Sequence, residues 1–256
     1  MNLTKLLFIA LIFSSFYQSL WSQNSTAVDI YTTYQKIGFR LGYNSFTPAK
    51  ITGADYNQSA YFTFDKGLDF SLGLDYNFYQ VKNWNFKASF LIQKFGERST
   101  LFLDANEFYN DSNLIEKIDD VPTYVYQLPL SLEYIKPLGK RIAISVGSGF
   151  SLSYYPYSYP TEYFFAEYGE YFYSIYQSNE KPLYVGAKIS STQYFTFKGF
   201  LLQTNIFYSK SFKSYRTGTY KFTNLQESPD FGGTIDQSGD YLGFSLSIHF
   251  RKKAKE

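Results

Sequence analysis

A period of two in the side chains from Tyr124 to Tyr155 constrains the fold more than any other feature of the sequence. Apolar residues occupy every second position over Tyr124–Tyr134, and every second position but Ser148 over Ile142–Tyr154. The intervening positions are small, polar or charged. Because successive side chains of a β-strand point to opposite faces, the pattern predicts two strands whose faces meet different solvents. We expect a short turn over Pro137–Lys140.

Six further stretches show the same alternation, so the sequence predicts eight strands in total. Besides the two strands above, they are Lys36–Thr47, Gly67–Gln80, Trp84–Phe95, Pro182–Phe195, Gly199–Phe212 and Tyr241–Phe250. Short connections at 81–83, 137–140 and 196–198 alternate with long ones, which places all short turns on one rim. Transmembrane barrels have this asymmetry. The predicted fold is therefore an all-β, eight-stranded antiparallel transmembrane barrel with up-and-down order and both mature termini on the periplasmic side.

Composition agrees with a barrel and excludes several other classes. Aromatic residues make up 22% of the chain, whereas the mean hydropathy is only −0.27. Membrane-spanning helices would each need ~20 largely apolar residues, but an alternating strand does not. There is no cysteine, and the net charge of +2 gives no reason to expect a nucleic-acid partner.

The N-terminus has the pattern of an export signal. Lys5 supplies a positive charge, Leu6–Phe13 is a short apolar run, and Ser14–Gln23 is small and polar. We therefore predict a signal peptide over 1–22 and a barrel domain over 23–256, with the mature chain in the outer membrane.

The polar face of the predicted strands carries charges of both signs, which would lie inside the barrel. We expect these side chains to pair, because unpaired buried charges are costly and eight strands leave a lumen only wide enough for side chains. A closed lumen is favoured over a conducting one, and Glu133 and Arg141 are expected to pair across neighbouring strands. The predicted lumen network comprises Arg40, Asp69, Asp75, Lys87, Glu133, Arg141 and Lys188.

The run YQLPLSLEYIKPLGKRIAISVGSGFSLSY and the ending YLGFSLSIHF resemble the PorT-like family of bacterial outer-membrane barrels. In that family a strand with a central proline is followed by a tight turn and a glycine-containing strand. The resemblance implies an outer-membrane barrel of the Bacteroidota type that is accessory to protein secretion or surface display. In this chain the proline is Pro129, where we expect a β-bulge.

Candidate chemistry is sparse. His249 is the sole histidine, so any histidine-based catalysis would need it. It lies two positions from the end of the last strand, near the short-turn rim, where a structural role is the simpler interpretation. Without cysteine and with one histidine, we expect no metal site, no cofactor and no enzymatic activity.

The segment Tyr154–Tyr176 is unusually rich in aromatic residues. It is either a partner-binding surface or an extension of the flanking strands that caps the barrel. Expected partners are outer-membrane lipid and envelope or secretion-machinery proteins. The candidate binding residues are Tyr155, Tyr157, Tyr159, Tyr163, Phe164, Phe165, Tyr168, Tyr171 and Tyr173.

The leading function is a structural or binding protein of the outer membrane with a plugged lumen, accessory to secretion or surface display. One alternative is an outer-membrane barrel enzyme that modifies lipid. Another is a secreted lipocalin-like binding protein, which would have an apolar interior and a polar exterior.

Overall fold

A computed structural model describes residues 30–53, 60–64, 68–95, 98–103, 114–119, 123–156, 161–165, 172–178, 182–223 and 231–253. The predicted signal peptide lies outside these ranges. Within them, no helix is long and apolar enough to cross a membrane.

One short helix, α1 (Ile30–Thr33), precedes the strands in the described part of the chain. The strands are β1 (Ile37–Phe46), β2 (Lys50–Gly53), β3 (Ala60–Phe64), β4 (Leu68–Val81), β5 (Trp84–Phe95), β6 (Arg98–Leu103), β7 (Leu114–Asp119), β8 (Thr123–Pro137), β9 (Ile142–Tyr154), β10 (Thr161–Phe165), β11 (Phe172–Ser178), β12 (Leu183–Thr196), β13 (Phe200–Ser211), β14 (Arg216–Thr223), β15 (Phe231–Gln237) and β16 (Tyr241–Phe250).

Eight of these strands close into a barrel in the order β1-β16-β13-β12-β9-β8-β5-β4. Every neighbouring pair is antiparallel, and β1 meets β16 with Leu41 opposite Leu246. The predicted fold class is confirmed. The predicted strands at Trp84–Phe95 and Tyr241–Phe250 have the observed bounds, and four others differ by one residue at each end.

The wall has an apolar outer face and a polar inner face. Phe39 and Phe150 point outward and are 63% and 62% exposed, whereas Asp75, Gln93 and Thr192 point inward and are fully buried. An outer face of this kind exposes far more contiguous apolar surface than a soluble monomer tolerates. The arrangement is the reverse of that expected for a lipocalin-like binder.

Three tight turns join β4 to β5, β8 to β9 and β12 to β13, all on one rim, which we call the short-turn rim. The first of these turns contains Lys82 in the left-handed region, with φ of 51°. The four long connections lie on the opposite, long-loop rim.

In the residues that the structure describes, the long connections contain eight further strands, which were not predicted. They form a five-stranded sheet in the order β10-β11-β14-β15-β2 and a three-stranded sheet in the order β3-β6-β7. The first long connection is divided between both sheets, because β2 pairs with β15 and β3 pairs with β6.

The predicted bulge at Pro129 is wrong. Pro129 lies opposite Ser151 in a ladder without a register shift, so the missing N–H does not require an inserted residue. A register shift occurs instead between Asn77 and Tyr79 at the end of β4. There Phe78 and Tyr79 are consecutive and both exposed, as expected where a bulge adds one residue to a strand.

Candidate functional site

Six of the seven predicted lumen residues are buried inside the barrel. They are Arg40, Asp69, Asp75, Lys87, Glu133 and Lys188, each at most 6% exposed. Arg141 does not join them: it is exposed and lies in the turn just before β9. The expected Glu133–Arg141 pair is therefore wrong. In the observed register of β8 and β9, Glu133 lies opposite Gly147 instead.

Lys87 stands at the centre of a buried charge network. Its Nζ lies 3.2 Å from Glu133 Oε1 and 3.9 Å from Asp75 Oδ2. The same ammonium group donates to Oε1 of Gln203 at 3.4 Å. One cation thus bridges carboxylates from two different strands.

The Asp75 carboxylate has further donors. Nη1 of Arg40 is 3.4 Å from Oδ1. The hydroxyl groups of Ser89 and Ser247 donate to Oδ1 and Oδ2, each at 2.6 Å. These contacts offset the cost of removing the carboxylate from water.

Glu133 is satisfied in a similar way. The Tyr194 hydroxyl donates to Oε2 at 2.6 Å, and Nδ2 of Asn85 donates to the same oxygen at 3.4 Å. Glu133, Lys87 and Asp75 consequently link the three consecutive wall strands β8, β5 and β4 on their lumenal side.

The lumen is closed at the short-turn rim by a cluster that we call the lower seal. Segment 30–34 supplies three of its side chains, and the wall supplies the rest. Tyr34 donates its hydroxyl to the Phe197 carbonyl at 2.8 Å, and Lys252 Nζ donates to the Tyr31 carbonyl at 2.6 Å. The lower seal consists of Ile30, Tyr31, Tyr34, Ile135, Ala143, Tyr194 and Leu201.

Tyr31 joins the lower seal to the charge network. Its hydroxyl accepts a hydrogen bond from Nε2 of Gln203 at 2.7 Å. Burial raises the pKa of Tyr31 well above its usual value, and the Glu133 and Asp75 carboxylates add to the rise. The phenol therefore stays neutral in the lumen. The role of Tyr31 was not predicted from the sequence, because segment 30–34 is too short to show a period.

His249 lies inside the same end of the barrel and is fully buried. Its Nδ1 is 3.1 Å from the Gln35 carbonyl oxygen, and its ring meets the edge of Tyr31 at a centroid distance of 5.7 Å. A Cβ added at Gly38 would lie 2.4 Å from Nε2, so the backbone of β1 packs directly on the ring. The His249 side chain is therefore packed inside the barrel with no solvent-exposed surface.

A second aromatic cluster, the upper seal, closes the long-loop end. Phe46 meets Phe95 at 4.7 Å, Tyr184 meets Tyr215 at 4.8 Å, and burial raises the pKa of Tyr215. The Tyr241 hydroxyl donates to Oε1 of Gln127 at 2.7 Å. The upper seal consists of Phe46, Phe95, Val125, Tyr155, Tyr184, Phe207, Tyr215 and Tyr241.

The Tyr-rich segment divides among these features. Tyr155 is fully buried in the upper seal, so the expectation that it forms part of a binding surface is wrong. Tyr163, Phe164 and Phe165 belong to β10, and Tyr173 belongs to β11, which pairs with β10. Tyr157, Tyr159, Tyr168 and Tyr171 lie outside the described residues.

In the described part of the chain, no group of three or more His, Cys, Asp or Glu side chains could hold a metal ion. The lumen contains buried ion pairs and aromatic rings in edge-on and tilted contacts.

No protein-family model matches the chain, and no curated protein matches it. Among solved structures, the outer membrane protein OprG from Pseudomonas aeruginosa is 12% identical, with 85% of this chain and 96% of that one covered and a TM-score of 0.44. Ail, the attachment invasion locus protein of Yersinia pestis, is 9% identical, with 84% and 97% covered and a TM-score of 0.35. The outer membrane protease OmpT from Escherichia coli is 8% identical, with 86% and 93% covered and a TM-score of 0.34.

Proposed function

We propose that this chain is a closed, non-conducting barrel of the outer membrane whose function is to bind envelope or secretion-machinery proteins at its long-loop rim. The membrane location is supported by the apolar outer face of the closed wall. A closed barrel leaves no strand edge unpaired, as a bilayer requires. The wall strands have 10 to 15 residues, enough for tilted spans of ~9–11 residues.

The closure of the lumen is the observation that carries the proposal. The lower seal, the charge network and the upper seal follow one another along the barrel axis. An eight-stranded barrel has little interior space beyond that needed for such side chains. Because the lumen is filled, we expect the barrel to bind its partners at the rims.

The rim at the long loops offers a surface suited to protein partners. β10 is an edge strand of the five-stranded sheet, because among the described strands it pairs with β11 alone. An edge strand presents unpaired backbone groups, to which an extended partner segment can add. Tyr163, Phe164, Phe165 and Tyr173 lie on this hairpin, and the resemblance to PorT-like barrels makes a secretion component our proposed partner class.

The two alternative functions have less support. A lipid-modifying enzyme would rely on His249, which is buried between β1 and Tyr31. A lipocalin-like binder would carry apolar residues inside, whereas this lumen carries charges and amides. The physical arrangement thus favours a membrane-embedded binding protein.

Closure is tested by inserting the purified protein into planar lipid bilayers and recording current. We expect no discrete channels from the wild type, and we expect channels or leak from a Tyr31→Ala/Tyr194→Ala variant that loosens the lower seal. Discrete conductance by the wild type would contradict a closed lumen. Recovery of the protein in the soluble periplasm would contradict the membrane location.

Partner binding is tested by replacing residues 161–178 with a short Gly-Ser linker, which leaves Tyr155 in place. A matched control replaces residues 98–119, the β6–β7 hairpin of the other sheet. After crosslinking in intact envelopes, we expect the first deletion to lose a defined envelope protein that the control retains. Both variants should still show heat-modifiable migration as folded barrels. Equal capture by both deletions would refute the role of the β10–β11 hairpin.

A further inference from the structure

Two lumenal cations lie against the same aromatic ring. The guanidinium carbon of Arg40 is 5.1 Å from the centroid of the Phe207 ring, and Nζ of Lys188 is 4.2 Å from it. Both side chains are at least nine-tenths buried, at 2% and 5% exposure. Like charges in this environment repel one another strongly unless an anion lies near them.

Arg40 has one edge without a partner. Its Nη1 contacts Asp75, whereas its Nε and Nη2 are buried and have no hydrogen-bond partner among the described residues. These two nitrogen atoms point in the same direction and form the fork that binds carboxylates and other oxyanions. The free edge of Arg40 is therefore an anion-binding geometry.

Lys188 lacks a counter-ion of its own. No carboxylate in the described residues lies within 4.0 Å of its Nζ, since the ion pairs there are Arg40–Asp75, Lys87–Asp75 and Lys87–Glu133. Contact with an aromatic face stabilises a desolvated cation. Burying an unpaired ammonium costs more than such a contact supplies, so the ring alone does not offset it.

We propose that a small monovalent anion, a halide or a carboxylate ion, is bound beside Phe207, held by the Nε–H and Nη2–H of Arg40 and neutralising Lys188. A water molecule would satisfy the two N–H groups but would leave the Lys188 ammonium without an anion within 4.0 Å among the described residues. Because both ends of the lumen are sealed, the anion enters while the barrel closes.

The test compares protein refolded in detergent in sodium bromide, sodium formate or sodium gluconate at equal ionic strength, since gluconate is too large for the packed lumen. For a site with a Kd of about 20 mM, 200 mM bromide lowers the unfolding equilibrium constant about tenfold. We expect Lys188→Met to remove this dependence. We expect Arg40→Lys, which keeps the charge and loses the fork, to weaken the formate effect more than the bromide effect.

Lys210→Met, at an exposed position of β13, is the control and should keep the wild-type response. Crystals grown in bromide should show an anomalous peak next to Arg40. Identical unfolding of the wild type in all three salts would overturn the proposal. A salt response that Lys188→Met retains in full, or an ordered water in place of the anomalous peak, would overturn it as well.

Discussion

Replacing Lys87 with methionine tests whether the charge network stabilises the closed barrel. Methionine keeps most of the volume of the lysine stem, so the main effect is the loss of the ammonium. Asp75 would retain Arg40 at 3.4 Å, but Glu133 would lose the only cation within 4.0 Å in the described residues. Leaving one buried carboxylate without a cation costs about 3–5 kcal/mol. We expect a loss of this size in the free energy of unfolding.

The assay is denaturant unfolding in lipid vesicles, followed by Trp84 fluorescence and by heat-modifiable migration. Glu133→Gln combined with Lys87→Met removes both charges and should restore most of the lost stability, to within about 1–2 kcal/mol of wild type, because no charge is left unpaired. Lys94→Met, at an exposed position of the same strand, is the control and should shift stability by less than ~0.5 kcal/mol. A Lys87→Met variant as stable as the control, or a double variant worse than the single one, would refute the reasoning.

Three further substitutions probe the seals and one turn. Gly239→Ala should destabilise the barrel by more than ~1 kcal/mol, because φ is 75° and the new Cβ would lie 2.6 Å from the Tyr215 ring; an unchanged thermal midpoint would contradict this. Lys82→Gly should stabilise by about 0.5–1 kcal/mol by relieving a left-handed φ of 51°, and a lower denaturant midpoint would count against it. Tyr194→Phe should cost about 1.5–3 kcal/mol, because Glu133 loses a 2.6 Å hydrogen bond, and a loss below ~0.5 kcal/mol would show that the bond is dispensable.

The wall of the barrel could be predicted from sequence because each wall strand meets two different environments. Over Trp84–Phe95 every outward position but one is apolar or aromatic, and the polar set faces inward, so the bounds follow from the alternation alone. The strands of the long connections carry no comparable signal. In β14, RTGTYKFT, the face opposite the threonines carries Arg216 and Gly218 before Tyr220 and Phe222, so only two positions of the alternation are apolar and no strand was predicted there.

The errors within the candidate site have physical causes too. The alternation predicts a lumenal Arg141 because it continues one residue beyond the start of β9, into the turn. Phe207 follows outward Ile206 and precedes outward Tyr208, so its inward position inside an aromatic run was not recognised. Tyr155 was assigned to a surface because composition alone does not tell a buried aromatic cluster from an exposed one.

The pairing of β1 with β16 also determines when the barrel can be completed. The edge of β1 that meets β16 has no wall partner until Tyr241–Phe250 has been made, and the ladder of β2 with β15 continues the same seam beyond the wall. Contacts between residues so far apart in sequence form late and slowly. Until then the nascent sheet has two open edges, which are sites for aggregation. The edge of β1 that later meets β16 is therefore an aggregation site until the last strand pairs with it.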